Sequence, residues 1–219
     1  MVLKKINQFY KSLIGFQKVY KSIPCSILMK KPLQIVGQKI SSLERAYEKV
    51  LAWFYAYPLD EISLNDLCQK TRISKTTGNG IVHLLENEGF LIVKPLGKVW
   101  RIQANPRHVY FSSKKIPFNL QQVYESGILE WVRKNISSAQ TVILFGSYRK
   151  GDDVETSDLD IAVEVLGKEE QKIVPLTLHY FGYRKNVQVQ IHVFSRKHID
   201  LNLFTNIANG IVLEGFLEV

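Results

Sequence analysis

Hydrophobic residues recur at helical spacing in three stretches of the first half of the chain. They form an apolar stripe, and a serine near the start of each stretch offers its side chain to cap the helix backbone. We predict helices over residues 42–57, 63–70 and 74–88. Two apolar runs follow at 90–94 and 99–103, and the Pro-Leu-Gly-Lys between them is typical of a β-hairpin. The first half therefore predicts three helices and a two-stranded wing.

The second half begins with a helical pattern and then changes to a strand pattern. The apolar run that ends at Phe145 is followed by a tight turn and a second apolar run, which predicts strand, turn and strand. Residues 187–194 alternate between apolar and polar side chains and predict a further strand before a short apolar tail. We predict helices over 119–135, 169–183 (broken near Pro175) and 195–209. This mixture predicts an α+β fold, with a mixed sheet and flanking helices.

The first 40 residues combine a helical pattern over 3–20 with eight lysines and no acidic residue. Two interpretations stay open: a helix packed on the next domain with a solvated lysine face, or a basic arm that lies on nucleic acid. Pro, Ser and Lys punctuate residues 104–118, which are typical of a linker. We predict a basic N-terminal arm at 1–40, a first domain at 41–103, a linker at 104–118 and a second domain at 119–219.

The composition is that of a soluble globular protein. Apolar residues make up 46% and charged residues 22% of the 219-residue chain, which allows a core in each half. No apolar run approaches the roughly 20 residues that cross a bilayer, and no continuous hydrophobic segment of a secretion signal follows the first residues. Cys25 and Cys68 have no Cys or His partners at zinc spacing and are interpreted as reduced thiols. We expect a cytoplasmic protein with no membrane partner.

The net charge of +9 is distributed unevenly along the chain. Residues 1–120 contain 19 Lys and Arg against 7 Asp and Glu, a net charge of +12, whereas residues 121–219 contain 10 against 13, a net charge of −3. A basic front half is typical of proteins that bind polyanions, with nucleic acid the first candidate. We expect DNA or RNA to bind the N-terminal half, while a protein partner or a homodimer stays open.

The most specific pattern in the chain reads Gly-Ser-x3-Gly-x5-Ser-Asp-x-Asp. Its fixed residues are Gly146, Ser147, Gly151, Ser157, Asp158 and Asp160. Two carboxylates one residue apart on a strand face the same way, and their mutual repulsion favours a cation. Mg²⁺ suits them because it takes oxygen ligands and completes its shell with waters and phosphates. The glycine and serine of the turn bring N–H groups and a hydroxyl close to an anion.

This pattern resembles the signature of the DNA polymerase β-like nucleotidyltransferases, especially their small archaeal and bacterial members, over residues 119–219. The resemblance implies a nucleotidyltransferase domain that moves a nucleotidyl group from an NTP to a hydroxyl of an unknown acceptor. It implies that Asp158 and Asp160 are catalytic and hold Mg²⁺ or Mn²⁺. The residues it assigns to the nucleotide are Gly146, Ser147, Lys150 and Ser157. No Walker-type or Rossmann glycine pattern occurs in the chain.

Active members of that family carry a third carboxylate on a later strand. Here the corresponding position falls on Gln188 or Gln190, and an amide neither carries the charge nor takes a proton. Three hypotheses follow. The proton-accepting role is lost or passes to His192 or Glu164, which gives slow transfer; or the domain is catalytically impaired and serves a transcriptional regulator as a nucleotide sensor; or both domains are interaction modules, such as an antitoxin-like partner of a toxin.

The first predicted domain resembles a winged helix-turn-helix. In such folds the third helix enters the major groove and the wing contacts the backbone. The resemblance assigns nucleic-acid contacts to Ser74, Lys75, Thr76, Thr77, Asn79, Lys94, Lys98 and Arg101. Gly78 and Gly80 depart from it, because each glycine costs about 1 kcal/mol relative to alanine within a helix. A purely structural or dimerising winged helix therefore stays open.

Overall fold

A computed structural model describes residues 42–97, 99–167 and 171–217. The predicted N-terminal arm at 1–40, Cys25 and Lys98 lie outside the described residues. The helices are α1 Ser42–Ala56, α2 Leu64–Thr71, α3 Lys75–Asn87, α4 Phe111–Glu125, α5 Ile128–Asn135, α6 Gly146–Lys150 and α7 Leu201–Ala208. The strands are β1 Leu91–Leu96, β2 Val99–Ala104, β3 Ala139–Phe145, β4 Leu159–Val165, β5 Lys172–Phe181, β6 Arg184–Phe194 and β7 Ile211–Gly215.

The helical region, residues 42–104, contains α1 to α3 and the hairpin of β1 and β2. The three helices and the two strands lie where the sequence predicts them. Ser63 and Ser74 cap α2 and α3, and each side chain accepts a hydrogen bond from a backbone N–H of the first turn. The apolar faces meet in one core around Val50, Phe54 and Leu67, so the predicted amphipathic stripes do form its interior.

Helix α4 begins at Phe111, eight residues before the predicted start at 119, so the second half of the segment interpreted as a linker is helical. Its ring contacts explain this difference: Tyr55 lies 5.5 Å from Phe111 and 5.4 Å from Phe118 between ring centroids. Burial of these rings stabilises a helix that continues through Pro117, which local sequence alone disfavours. Gly127, at a φ of 80°, then separates α4 from α5, so the predicted single helix is two.

The sheet region, residues 111–217, is built around five strands in the order β5-β6-β4-β3-β7. Strands β4 and β6 are parallel and the other neighbours are antiparallel, which makes the sheet mixed, as predicted. Helices α4 and α5 cover one face through residues such as Val123 and Val132. Helix α7 covers part of the other face, where Ile207 joins Ile143 and Phe194 in a second core.

Strand β5 corrects the sequence prediction of a broken helix over 169–183. Its side chains alternate, and Val174, Leu176 and Leu178 pack against the core while their neighbours are exposed. Proline is tolerated in a strand at the edge of a sheet, and β5 is one of the two edge strands here. Pro175 was therefore a sign of an edge strand and not of a helix break.

The end of the chain also differs in detail from the prediction. Helix α7 is shorter than the predicted 195–209, because Asp200 caps it by accepting hydrogen bonds from two backbone N–H groups at 3.0 Å. The apolar tail forms β7, which pairs with β3. Among the residues that the structure describes, no helix has the length and apolar character needed to cross a membrane.

Candidate functional site

The turn after β3 brings the backbone directly against a carboxylate. Gly146 has a φ of 71°, a conformation that favours glycine, and begins the short helix α6. A Cβ at this position would overlap the carboxylate of Asp160, whose Cγ would lie only 3.1 Å away. Glycine is thus required here both by the backbone and by the contact with β4.

The second motif glycine has a packing role. A Cβ on Gly151 would lie 2.7 Å from the carbonyl oxygen of Ser112, which belongs to α4. The carbonyl of Ser147 accepts hydrogen bonds from the N–H groups of Gly151 and Asp152 at 2.9 and 3.3 Å. These contacts hold the C-terminal end of α6 against α4, while its first backbone N–H groups have no acceptor within the helix.

The two motif carboxylates lie at the start of β4. Asp158 is exposed and directly precedes the strand, whereas Asp160 is its second residue with a side chain 27% exposed. Across the sheet, Asp160 pairs with Phe145 on one side and with Gln190 on the other. The residues described hold no cluster of three or more His, Cys, Asp and Glu side chains arranged for a metal ion. The carboxylate pair itself supplies oxygen donors, the ligand type of Mg²⁺ and Mn²⁺.

The strand next to Asp160 carries an amide beside that carboxylate. Gln190 pairs with Asp160 in parallel register, and residues paired in this way project from the same face. Gln188 is exposed and accepts a hydrogen bond from Thr177 Oγ1 at 3.2 Å. Of the two positions left open by the sequence, Gln190 is therefore the one paired with Asp160.

His192 and Glu164 differ in their surroundings. His192 Nε2 lies 3.8 Å from Asp160 Oδ1, its side chain is 14% exposed, and its buried Nδ1 has no hydrogen-bond partner among the described residues. Glu164 accepts a hydrogen bond from Arg196 Nε at 2.8 Å. Of these two side chains, His192 is therefore the one beside Asp160.

The remaining nucleotide residues of the prediction surround the same turn. Ser157 Oγ accepts a hydrogen bond from the N–H of Val154 at 2.9 Å, which closes a small turn in the loop ahead of β4. Lys150 is exposed at the end of α6, and Tyr148 is 1% exposed in the core. The nucleotide contacts of Ser147, Lys150 and Ser157 stay predictions.

A buried polar cluster under the turn was missed by the sequence prediction. Lys115 Nζ lies 2.9 Å from Asp153 Oδ2, and both side chains are at least 97% buried. Asn119 Nδ2 donates to Asp153 Oδ1 at 2.7 Å and to the carbonyl of Tyr148 at 3.0 Å. Burial lowers the pKa of Lys115 and raises the pKa of Asp153, while the attraction between them opposes both shifts. The position of Asp153 between Gly and Ser of the motif was the only sequence signal for this cluster.

In the helical region, two of the predicted nucleic-acid residues are occupied in capping α3. Ser74 Oγ accepts from the N–H of Thr77 at 3.1 Å and lies 2.8 Å from Thr77 Oγ1. Lys75, Thr76 and Asn79 instead line a groove of about 510 Å³ between the helices and the hairpin. Trp100, which the sequence prediction did not single out, lies in the same groove.

One of the basic side chains that the sequence assigns to nucleic-acid contacts in the hairpin is paired with an acidic residue. Lys94 forms an ion pair with Glu61 at 3.3 Å, and it is the cross-strand neighbour of the exposed Arg101. Residues 42–104 contain eight Lys and Arg against seven Asp and Glu, including Lys98. The basic excess of the front half therefore comes mainly from the lysines at 1–40.

Gly78 has a steric reason to be in α3. A Cβ there would lie 2.5 Å from Cys68 Sγ, so glycine allows α2 and α3 to approach closely. Cys68 is a buried free thiol, as predicted. A Cβ on Gly80 would meet no atom within 4 Å, and nothing in the structure explains that glycine.

Comparison with known families agrees with this geometry. Residues 126–207 match the family model described as nucleotidyltransferase domain. The match runs from the end of α4 into α7, and it therefore includes the turn, both motif aspartates and the strand with Gln190. The helical region lies outside it.

One relative of known activity is also similar in sequence. The chain is 46% identical over 44 residues to the protein adenylyltransferase MntA of Shewanella oneidensis. The aligned part covers 20% of this chain and 32% of that protein, so the match spans about a third of the relative's length. Together, the two comparisons support nucleotidyl transfer in general.

Proposed function

We propose that the protein transfers a nucleotidyl group from an NTP to a hydroxyl, at the site formed by the turn after β3 and the start of β4. The observation that supports this most directly is the approach of Gly146 to Asp160, which leaves no room for a Cβ. A phosphate chain held at the turn would lie beside the carboxylate, where a cation can neutralise both.

The donor set fits a hard divalent cation. Asp158 and Asp160 would hold Mg²⁺ or Mn²⁺, and the exposure of Asp158 leaves space for water and phosphate oxygens. When bound, the ion supplies positive charge that offsets the carboxylates and the triphosphate. The chain's own part is to hold the carboxylates at the start of β4 and to keep the turn against Asp160.

In the proposed reaction, the acceptor oxygen forms a bond to the α-phosphorus of the NTP. The bond from that phosphorus to the bridging oxygen breaks, and pyrophosphate leaves. Gln190 cannot take the hydroxyl proton, because an amide is not basic, and Glu164 is paired with Arg196. We therefore expect slow transfer, with His192 the side chain left beside Asp160 to receive the proton.

The relative suggests which donor and acceptor to test first. MntA is named as a protein adenylyltransferase, which makes ATP the first donor and a protein hydroxyl the first acceptor. RNA ends and small molecules are the other acceptors to include.

The direct test follows label from each of the four α-labelled NTPs onto the protein itself, RNA and a lysate in the presence of Mg²⁺. We expect transfer that is abolished by Asp158→Ala and by Asp160→Ala, and that is unchanged in Glu130→Gln, an exposed carboxylate in α5. Transfer that persists in both aspartate variants would contradict the proposed site.

A gain-of-function variant tests the missing carboxylate. Gln190→Asp places a carboxylate beside Asp160, and we expect transfer to rise by about 10²-fold or more because general-base catalysis contributes on that scale. Gln188→Asp is the matched control, since it adds the same charge two residues away on the same strand. Equal rates in the two variants would show that proton transfer at Gln190 does not limit the reaction.

We propose a second function for the helical region, as a winged helix-turn-helix that binds DNA or RNA. The groove between α3 and the hairpin supports it, because Lys75, Thr76, Asn79 and Trp100 offer a charge, polar groups and a stacking surface in one place. Since this region is almost neutral, we expect the lysines of 1–40 to supply most of the attraction to phosphate. Gel shifts at several salt concentrations, with Lys75→Ala and Trp100→Ala, test this function.

The alternative functions predict different outcomes of the same experiments. Binding of Mg-ATP by calorimetry without transfer to any acceptor would favour a nucleotide-binding transcriptional regulator. Neither binding nor transfer would favour an antitoxin-like interaction protein, and size measurements would then test for a protein partner or a homodimer.

A further inference from the structure

The loop between α6 and β4 carries the residues that lead into the metal site. Residues 151–158 include Ser157 and end at Asp158. Within the loop, Val154 and Ser157 exchange two hydrogen bonds, from Val154 N–H to Ser157 Oγ and from Ser157 N–H to Val154 O. These bonds form a small turn, but they do not fix where that turn lies relative to the sheet.

The side chain of Arg184, the first residue of β6, contacts this loop. Its side chain is buried, with the residue 6% exposed. One terminal nitrogen donates to the carbonyl of Glu155 at 2.7 Å and to the carbonyl of Ser157 at 2.9 Å. The other terminal nitrogen donates to the hydroxyl of Tyr148.

The guanidinium therefore contacts a residue next to each part of the site, the turn after β3 and Asp158. Tyr148 follows Ser147 in the turn, and Ser157 precedes Asp158 in the chain. A planar guanidinium has five donors in a fixed fork, and a lysine ammonium cannot reproduce that geometry. Arg184 thus fixes the distance between the turn and the residue before Asp158.

The other end of the loop has a separate anchor. The ion pair of Lys115 with Asp153, completed by Asn119, attaches the start of the loop to α4. This anchor acts at Asp153, five residues before Asp158. Arg184 holds the carbonyl of the residue immediately before it, so the position of Asp158 depends more directly on Arg184.

We propose that Arg184 is a positioning residue for the metal site, which sets Asp158 relative to the phosphate-binding turn through the carbonyl of Ser157 and the hydroxyl of Tyr148. The role in metal binding rests on the proposed function, whereas the role in ordering the loop does not. Burying the guanidinium of Arg184 among carbonyl oxygens costs free energy. The proposed positioning role gives a reason for an arginine at this place.

Hydrogen exchange of the full chain without nucleotide tests the ordering of the loop. In Arg184→Lys we expect the backbone amides of 152–158 to exchange about tenfold or more faster, because a lysine loses the forked contacts. Amides in β3 and in the interior of β4 should keep their wild-type rates. Lys185→Gln, which removes an exposed charge from the next residue, is the control. An unchanged loop, or equal acceleration throughout the sheet, would overturn the proposal.

Calorimetry of Mg-ATP binding tests the positioning of Asp158. We expect the affinity of Arg184→Lys to fall about 10- to 100-fold, the range typical when a group that orients a metal ligand is removed, and to recover as the Mg²⁺ concentration is raised. Loss without recovery in Mg²⁺, or no loss, would overturn it. Tyr148→Phe removes only the hydroxyl contact and should show a smaller effect in the same direction. If wild-type protein binds no Mg-ATP, the proposed function fails, while the exchange experiment still decides whether Arg184 orders the loop.

Discussion

The helical region and the sheet region bury different kinds of side chain. In the helical region the core is apolar, and the buried polar residue that the structure describes there is Thr71, which bonds within its own helix. In the described part of the sheet region, six buried residues are polar or charged: Lys115, Asn119, Thr141, Asp153, Arg184 and Ser195. Four of them contact α6 or the loop before Asp158.

This difference separates two ways of making a fold specific. Apolar burial contributes most of the stability of a domain but is non-directional, so it tolerates small shifts of a loop. Buried hydrogen-bonded charges contribute little net stability and fix geometry closely. The sheet region uses such groups beneath its candidate site, which is where a displaced carboxylate would matter.

Removal of one charge from the buried pair should have the largest effect on stability. Lys115→Met leaves Asp153 buried and unpaired, and we expect the free energy of unfolding to fall by about 3–5 kcal/mol. Because burial raises the pKa of Asp153, this deficit should be smallest below the ordinary carboxyl value of 3.8 and should grow as the pH rises above it. Urea unfolding from pH 3 to 7 measures it.

The double variant Lys115→Met, Asp153→Asn is the control for that measurement. It removes both charges and should recover part of the lost stability. A single variant that loses less than about 1 kcal/mol would show that the pair is not held as tightly as its burial indicates.

Matched cavities compare the two cores directly. Leu67→Ala and Leu159→Ala each remove a leucine side chain that is 0% exposed, one in α2 and the other between Asp158 and Asp160, and each should cost about 2–5 kcal/mol. Only Leu159→Ala should also weaken Mg-ATP binding. Equal effects of the two cavities on nucleotide affinity would contradict the separation of the regions.

A hydrogen bond joins the helical region to the residue before β6. The hydroxyl of Tyr57 donates to the carbonyl of Tyr183 at 2.9 Å, next to Arg184. Tyr57→Phe should lower stability by about 0.5–1.5 kcal/mol and speed amide exchange near 181–184. Tyr110→Phe, which changes a ring that is 60% exposed, should do neither. Unchanged amide exchange at 181–184 would show that this hydrogen bond does not stabilise the contact between the two regions.

The smallest effect on stability should come from the hairpin. Lys94→Ala breaks an exposed ion pair with Glu61, and such pairs contribute about 0–1 kcal/mol. If the helical region binds nucleic acid, Lys94→Ala should weaken binding less than Lys75→Ala, because Lys94 is already paired. Gel shifts of the two variants compare them, and a larger loss for Lys94→Ala would place the contact on the hairpin instead of the groove.

The sequence was sufficient wherever a local pattern decides the structure. Helices α1 to α3 and strand β6 follow from periodicity and capping, and the turn with its two aspartates follows from a spacing that few other functions require. The family resemblance and the alternation of side chains along the strand left Gln188 and Gln190 as the two candidates for the place beside the motif carboxylates. Strand register, which is a tertiary property, decided between them.

The prediction was incomplete where distant residues determine local structure. Helix α4 starts early because its rings pack against Tyr55, some 60 residues before it. The side chains of Lys115, Asp153 and Arg184 meet only in the folded chain, and none of them is unusual in its own sequence surroundings. Periodicity detects faces of elements and cannot detect which buried charges will meet.

Pro175 in the edge strand β5 affects how copies of this protein can associate. An edge strand offers its backbone to any other extended chain, and proline on such a strand is one of the features that discourage this pairing. Growth of the sheet by addition of a second β5 is therefore discouraged, which lowers the tendency of the protein to form continuous intermolecular sheets. A homodimer, if the protein forms one, is more compatible with side-chain contacts than with a sheet continued from one β5 to the other.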